Sequence, residues 1–224
     1  LDIKLSTRPE QRVGTDAIWD KAEKALEAAI NKQGISYEIA EGDGAFYGPK
    51  IDFVLTDSLN REWQCGTLQA DFNMPERLDA SYVGTDGERH VPVMLHRAFL
   101  GSFERFIGIL IEQYAGRFPP WLAPVQIVVA SITDQANDYA CEIADAAVDL
   151  GLRVEKDLRN EKISYKVREH SVMKVPFILA VGGREAEAGT VALRRLGSNE
   201  QKVIDANEAL VMLRAESLAP DMAD

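Results

Sequence analysis

The stretch His90-Val-Pro-Val-Met-Leu-His-Arg-Ala-Phe-Leu-Gly-Ser-Phe-Glu-Arg-Phe106 decides how this chain is interpreted. It predicts an apolar strand over 91–95, a break at Gly101-Ser102 and a helix over 103–114 with apolar residues at helical spacing. The free N–H groups at the start of such a helix suit an anion, and small residues at the bend let a ligand approach the backbone. On periodicity alone, an ordinary strand–turn–helix unit without a ligand is the simpler interpretation.

Two segments before this stretch carry an unusual number of polar residues. Gly44-Ala-Phe-Tyr-Gly-Pro-Lys50 predicts a turn, in which proline fixes φ and glycine tolerates positive φ, leading into a strand over 50–56. A second strand is predicted over 62–71, and its alternation is odd for a core strand but suits the floor of a polar pocket. One face of it would carry Gln64, Gly66, Leu68 and Ala70, and the other Trp63, Cys65, Thr67, Gln69 and Asp71.

The pattern His-Arg-Ala-x-Leu-Gly-Ser-x-Glu-Arg-Phe over 96–106 resembles the third signature motif of class II aminoacyl-tRNA synthetases, in the form found in threonine-specific members. The resemblance implies that Arg105 binds the triphosphate end of ATP and that Ser102 belongs to the same substrate site. It also implies that His96 is one of three ligands of a zinc ion (Zn2+) in the amino-acid pocket. A histidine with only a structural role stays open as the alternative.

The same resemblance implies roles for the upstream polar residues. Tyr47 and Lys50 would face threonine and its activated carboxylate, and together with Arg105 they would be the catalytic residues. Gln64 and Thr67 would meet the ribose and phosphate region of ATP, and Gln69 would lie near the terminal adenosine of tRNA. The implied activity is ligation of threonine to its cognate tRNA through threonyl-adenylate, with Mg2+ accompanying ATP.

A zinc ion makes chemical sense for the discrimination of threonine from valine, which is nearly isosteric with it. An apolar pocket separates such a pair poorly, whereas a site that binds the hydroxyl group rejects the analogue lacking it by a factor on the order of 10⁴ or more. An imidazole is an ordinary zinc ligand.

The fold class that the resemblance implies is α+β. Residues 1–118 would be the C-terminal part of a class II catalytic domain built on an antiparallel sheet. The proline-rich segment 119–124 would be a linker, and the strands and helices alternating over 125–224 would form an α/β anticodon-binding domain with a mixed sheet. The family's motifs 1 and 2, the other zinc ligands and an editing domain are expected before Leu1. The chain is therefore predicted to be a fragment that is inactive alone.

Charge alone argues against indiscriminate binding to nucleic acid, because the formal net charge is −11. Residues 151–195 nevertheless carry ten Lys or Arg against six Asp or Glu. A solvated helix face explains Lys162, Lys166 and Lys174 equally well. The segment Asp157-Leu-Arg-Asn-Glu-Lys-Ile163 resembles the anticodon-binding domain of the threonyl, prolyl, histidyl and glycyl enzymes, which implies that Asn160, Glu185 and Arg194 contact the anticodon.

The composition of the sequence bears on the compartment, and the resemblance implies the partners. No apolar run is long enough to span a membrane and no basic-then-apolar leader is present, while Cys65 and Cys141 lack metal-site spacing. We therefore expect a cytoplasmic protein that binds ATP, threonine and threonine-specific tRNA, as a homodimer in the full-length enzyme. A prolyl- or glycyl-type synthetase and a non-catalytic tRNA-binding module are the alternatives.

Overall fold

The computed structural model describes residues 1–222 and divides into two compact units, Leu1–Gly108 and the chain from Ile109 onwards. Both units combine helices with sheets that contain antiparallel strands, so the predicted α+β class is confirmed. The predicted limits of the domains and linker, at 118 and 125, stay a prediction. Among the described residues, no helix is both long and apolar enough to cross a membrane.

The first unit is built on a five-stranded sheet in the order β2-β1-β3-β4-β7. β1 and β2 are parallel, and every other neighbouring pair is antiparallel. A small hairpin of β5 and β6 stands apart from this sheet. The elements are β1 (Asp2–Ser6), α1 (Asp16–Lys32), β2 (Glu38–Ala40), β3 (Lys50–Thr56), β4 (Glu62–Asp71), α2 (Met74–Arg77), β5 (Tyr82–Val83), β6 (Arg89–His90), β7 (Met94–Ala98) and α3 (Phe103–Tyr114).

One face of this sheet is apolar, and α1 packs on it. Leu26 and Ile30 of α1 join Ile3, Leu5 and Ile51 in one buried cluster. The helix begins after Thr15, whose side chain caps it by accepting a hydrogen bond from the backbone N–H of Ile18. Hydrophobic residues on this side leave the opposite face of the sheet free for polar side chains.

The second unit is built on a mixed sheet in the order β12-β11-β10-β8-β9. β8, β9 and β10 run parallel, whereas β11 and β12 are antiparallel to their neighbours, as predicted for a mixed sheet. The elements, besides short 3-10 turns at Asp134–Ala136 and Pro220–Met222, are β8 (Ile127–Ser131), α4 (Asn137–Asp149), β9 (Val154–Asp157), α5 (Ile163–Val172), β10 (Phe177–Val181), α6 (Gly183–Ala188), β11 (Thr190–Arg195), β12 (Gln201–Asp205) and α7 (Ala206–Glu216).

Both faces of the second sheet are covered. One face packs its apolar side chains against α4 and α7, and the other packs Val128 and Ala130 against Val175 and Ile163. The predicted linker is held against this unit, because Arg153 donates hydrogen bonds to the backbone carbonyls of Trp121 and Ala123. The segment therefore has a fixed position on the second unit.

Candidate functional site

A β-bulge in β4 decides which side chains share the polar face of the first sheet. Phe53 pairs with Gly66, but the next residue of β3, Val54, pairs with Gln64, so Cys65 is an extra residue in β4. Side chains alternate along a strand, and an extra residue reverses the alternation beyond it. The predicted alternation placed Gln64 on one face of the strand and Thr67 and Gln69 on the other face. That prediction is therefore wrong.

We call the resulting surface the polar face: Ser6, Lys50, Asp52, Gln64, Thr67, Gln69, Asp71 and His96. The polar face unites five of the predicted site residues on neighbouring strands. Lys50 pairs with Gln69 across β3 and β4, and Gln69 pairs with His96 across β4 and β7.

Asp52, which the sequence analysis did not assign to the site, organises one end of the polar face. Its carboxylate is 4% exposed and accepts hydrogen bonds from the Ser6 hydroxyl at 2.8 Å and the Gln64 amide at 2.6 Å. The Lys50 ammonium lies 3.0 Å from the same carboxylate and 3.6 Å from Asp43. A buried carboxylate thus fixes an ammonium and an amide side by side.

Tyr47 reaches the polar face from the turn before β3. Its hydroxyl donates to the Gln69 side-chain oxygen at 2.7 Å, and its ring centroid lies 5.9 Å from that of His96. The turn lies against β4, because the Pro49 carbonyl accepts from the Ala70 N–H and a Cβ at Gly48 would collide with the Ala70 carbonyl. Gly48 is therefore required for close approach and not for the positive φ expected from the sequence.

His96 is held by a second carboxylate that the sequence analysis did not assign a role. Its Nε2 lies 2.8 Å from Asp71, whose side chain is 4% exposed and also accepts from the backbone N–H groups of Asn73 and Met74. Burial raises the pKa of Asp71, but the hydrogen bonds from Met74 and His96 outweigh burial and leave that pKa below its usual value. Asp71 thus remains an ionised anchor for the imidazole.

Among residues 1–222, no three His, Cys, Asp or Glu side chains form a cluster that could hold a metal ion. His96 itself fits the role of a single ligand, since a ligating imidazole commonly bonds a carboxylate through its other nitrogen.

Ser102 and Arg105 lie at the exposed start of α3, after a bend at which Leu100 and Gly101 both have positive φ, 66° and 69°. The Ser102 hydroxyl accepts the Arg105 backbone N–H at 3.3 Å. Arg105 also acts electrostatically on Cys65, lowering a thiol pKa that burial raises overall. Among the described residues, no hydrogen bond or ion pair joins Arg105 to Lys50, and none joins it to Tyr47.

Thr67 carries a sign of an incomplete site. Its hydroxyl oxygen is buried and has no hydrogen-bond partner among the described residues. Buried polar atoms nearly always have a hydrogen-bond partner. The Thr67 hydroxyl is therefore available to bond a ligand or a water molecule.

The three predicted anticodon contacts occupy different places on the second unit. Asn160 is exposed in the loop after β9, and Glu185 caps α6 by accepting the Gly182 N–H at 2.9 Å. Both follow the carboxyl ends of parallel strands. Arg194 instead pairs with Ile178 near the beginning of β10 and lines a cavity of about 310 Å³ with Val167, Ser171 and Ser198 among its other walls.

Lys166 is buried, which contradicts the interpretation that it belongs to a solvated helix face. Its side chain is 1% exposed, and the ammonium donates to the carbonyls of Ser131 and Asp157, both at 2.9 Å. Lys162 is exposed, as predicted. A helical pattern could not distinguish these lysines, because four residues separate them and both fall on one helical stripe.

Two family models match the chain. The class II core domain of tRNA synthetases (G, H, P, S and T) matches residues 6–114, and an anticodon binding domain matches residues 126–216. The chain is 63% identical to a threonine–tRNA ligase of Hyphomonas neptunium over 99% of its own length, and it spans 34% of the length of that relative.

Solved structures agree with these matches. The RNA binding domain of threonyl-tRNA synthetase from Cryptosporidium parvum Iowa II superposes with a TM-score of 0.86 at 35% identity, covering 97% of this chain and 55% of that one. A putative threonyl-tRNA synthetase from Aeropyrum pernix gives a TM-score of 0.66 at 30% identity, over 96% of this chain and 54% of that one.

Proposed function

Because this chain belongs to the class II aminoacyl-tRNA synthetase family, we propose that its residues serve the ATP-dependent attachment of threonine to tRNA. The observation that carries this proposal is the polar face, where Asp52 holds Lys50 beside Gln64 and Tyr47 bonds to Gln69. An ammonium and several fixed amides on a sheet suit a carboxylate, a phosphate and a ribose placed in a row.

The proposed chemistry needs no protein nucleophile. The threonine carboxylate attacks the α-phosphate of ATP, pyrophosphate leaves, and the tRNA terminal hydroxyl then takes the threonyl group from the adenylate with release of AMP. The contribution of the protein is orientation and neutralisation of charge. Lys50 and Tyr47 orient the threonyl carboxylate, Gln64 and Thr67 contact ATP, and Gln69 lies near the terminal adenosine.

Arg105 and Ser102 would hold the triphosphate end of ATP. The guanidinium is exposed at the start of α3 and offers planar, paired contacts to phosphate oxygens. Magnesium would accompany ATP and would supply neutralisation of phosphate charge beside Arg105.

His96 would supply one of the three protein ligands of a zinc ion that binds the amino and hydroxyl groups of threonine. Asp71 would fix the orientation of the imidazole. The chemistry that zinc supplies is Lewis acidity towards the threonine hydroxyl.

The second unit would read the anticodon through Asn160, Glu185 and Arg194. Side chains that reach base edges determine specificity, whereas contacts to phosphates only position the RNA. We place this activity in the cytoplasm, in a homodimeric full-length enzyme, and expect the chain by itself to be inactive.

A chimaera tests the proposal directly. The present chain replaces the corresponding third of the Hyphomonas neptunium threonine–tRNA ligase, and amino-acid-dependent pyrophosphate exchange and tRNA charging are measured. We expect both activities with threonine. Lys50→Met should abolish exchange, whereas Lys21→Met, an exposed lysine on α1, should leave it unchanged.

Two outcomes would count against the proposal. Exchange that depends on proline or glycine in place of threonine would favour a different class II synthetase. Anticodon-dependent tRNA binding by a folded chimaera that exchanges no pyrophosphate would favour a non-catalytic tRNA-binding module.

A further inference from the structure

A buried ammonium lies at the carboxyl ends of two parallel strands. Lys166, on the first turns of α5, bonds the Ser131 carbonyl at the end of β8 and the Asp157 carbonyl at the end of β9. Its Nζ also lies 3.7 Å from the Asp157 carboxylate. An apolar side chain at this position would remove a donor from both carbonyls.

The Asp157 carboxylate completes this cluster. It accepts from Arg159 at 2.8 and 2.9 Å and lies 2.8 Å from His170 Nε2, while its side chain is 3% exposed. Burial raises the pKa of Asp157, but the bonds from Arg159 and His170 outweigh burial and hold that pKa far below its usual value. The carboxylate is therefore charged opposite the buried ammonium.

The cluster joins the two ends of one short loop. Asp157 ends β9, and the Lys162 carbonyl accepts the backbone N–H of Lys166 in the first turn of α5. Residues 158–162 between them include the exposed Asn160. Lys166 of α5 contacts Asp157, the last residue of β9. These contacts fix the distance between the two ends of the loop and their relative orientation.

Resting on the proposed function, we propose that Lys166 and Asp157 are positioning residues for anticodon reading. They act through the loop 158–162 and set the place at which Asn160 meets a base. Lys166 touches no RNA, since it is 1% exposed. Removing its ammonium should therefore reduce the preference for the cognate anticodon while leaving the electrostatic part of binding intact.

The test compares Lys166→Met with Arg168→Met, at an exposed basic residue two positions further along α5, in the 224-residue chain. Each variant is titrated with a threonine tRNA transcript and with the same transcript carrying an altered anticodon, at several salt concentrations. For Lys166→Met we expect the ratio of the two dissociation constants to fall about tenfold, with an unchanged salt dependence. For Arg168→Met we expect an unchanged ratio, since Arg168 lies on α5 outside the loop 158–162.

Folding is controlled separately. Circular dichroism establishes that each variant is folded at the temperature of the titration, and hydrogen exchange should show faster exchange at residues 158–162 in Lys166→Met alone. If Lys166→Met does not fold, Asp157→Asn, which keeps the main-chain carbonyl and removes the charge, replaces it with the same expected loss of preference.

The outcomes distinguish a failure of the positioning role of Lys166 and Asp157 from a failure of the proposed function. A wild-type chain without preference for the cognate anticodon overturns the proposed function. A wild-type preference that a folded Lys166→Met or Asp157→Asn variant retains within twofold overturns the positioning role alone.

Discussion

Replacing Asp52 by asparagine should uncouple Lys50 and Gln64 while changing the shape of the first sheet little. The wild-type carboxylate is 4% exposed and holds three groups: the Ser6 hydroxyl, the Gln64 amide and the Lys50 ammonium. Asparagine has one acceptor oxygen in place of two and carries no charge. Among residues 1–222, Lys50 would then keep only Asp43, at 3.6 Å, as an ionic partner.

The magnitude follows from these contacts. A hydrogen bond to a buried charged group contributes about 1.5–3 kcal/mol, so Asp52→Asn should lower the free energy of unfolding by that amount. Activity should fall further, because displacing a group that binds substrate by about 1 Å can cost about 100-fold in rate.

The assays are urea unfolding of the 224-residue chain and threonine-dependent pyrophosphate exchange in the chimaera. Asp43→Asn is the matched control, since it removes the more exposed partner of Lys50 and should cost no more than about 1 kcal/mol. Exchange by Asp52→Asn within twofold of wild type, or equal damage by Asp43→Asn, would contradict this role of Asp52.

Three further results are expected. Arg105→Lys in the chimaera should impair use of ATP in exchange kinetics while threonine binding changes little, because lysine keeps the charge and loses the planar fork; unchanged ATP kinetics would remove Arg105 from the site. Residues 118–224 should unfold cooperatively in urea, whereas a piece starting at 125 lacks carbonyls that Arg153 binds and should be less stable; equal midpoints would contradict this. The depressed pKa of Asp157 contributes stability that is present above about pH 4 and lost below it, so the stability difference between wild type and Asp157→Asn should shrink as the pH of the unfolding experiment falls through that region.

Much of the architecture could be predicted from the sequence. The helix over 103–114 and the strands over 50–56 and 62–71 occur with the predicted limits. α6 (Gly183–Ala188) was not predicted, because a six-residue helix has too little periodicity to reveal itself. β12 (Gln201–Asp205) was missed since its polar, mostly exposed residues show no alternation.

The site was predicted less completely than the fold, for physical reasons. Its residue types are visible in the sequence, but Asp52 and Asp71 gain their roles only from strands that pair across the sheet. Likewise, Lys166 is buried because two strand ends, 26 residues apart in sequence at Ser131 and Asp157, present carbonyls to it. Such long-range pairing has no local signature.

The bulge at Cys65 makes the main-chain path of β4 decide which side chains share the polar face. In a regular ladder with Cys65 paired to Val54, Gln64 would turn to the helix-covered side and away from Asp52, whereas the bulge keeps Gln64 on the face that carries Thr67. Anyone grafting this constellation onto another sheet must therefore copy an irregularity of the main chain together with the side chains.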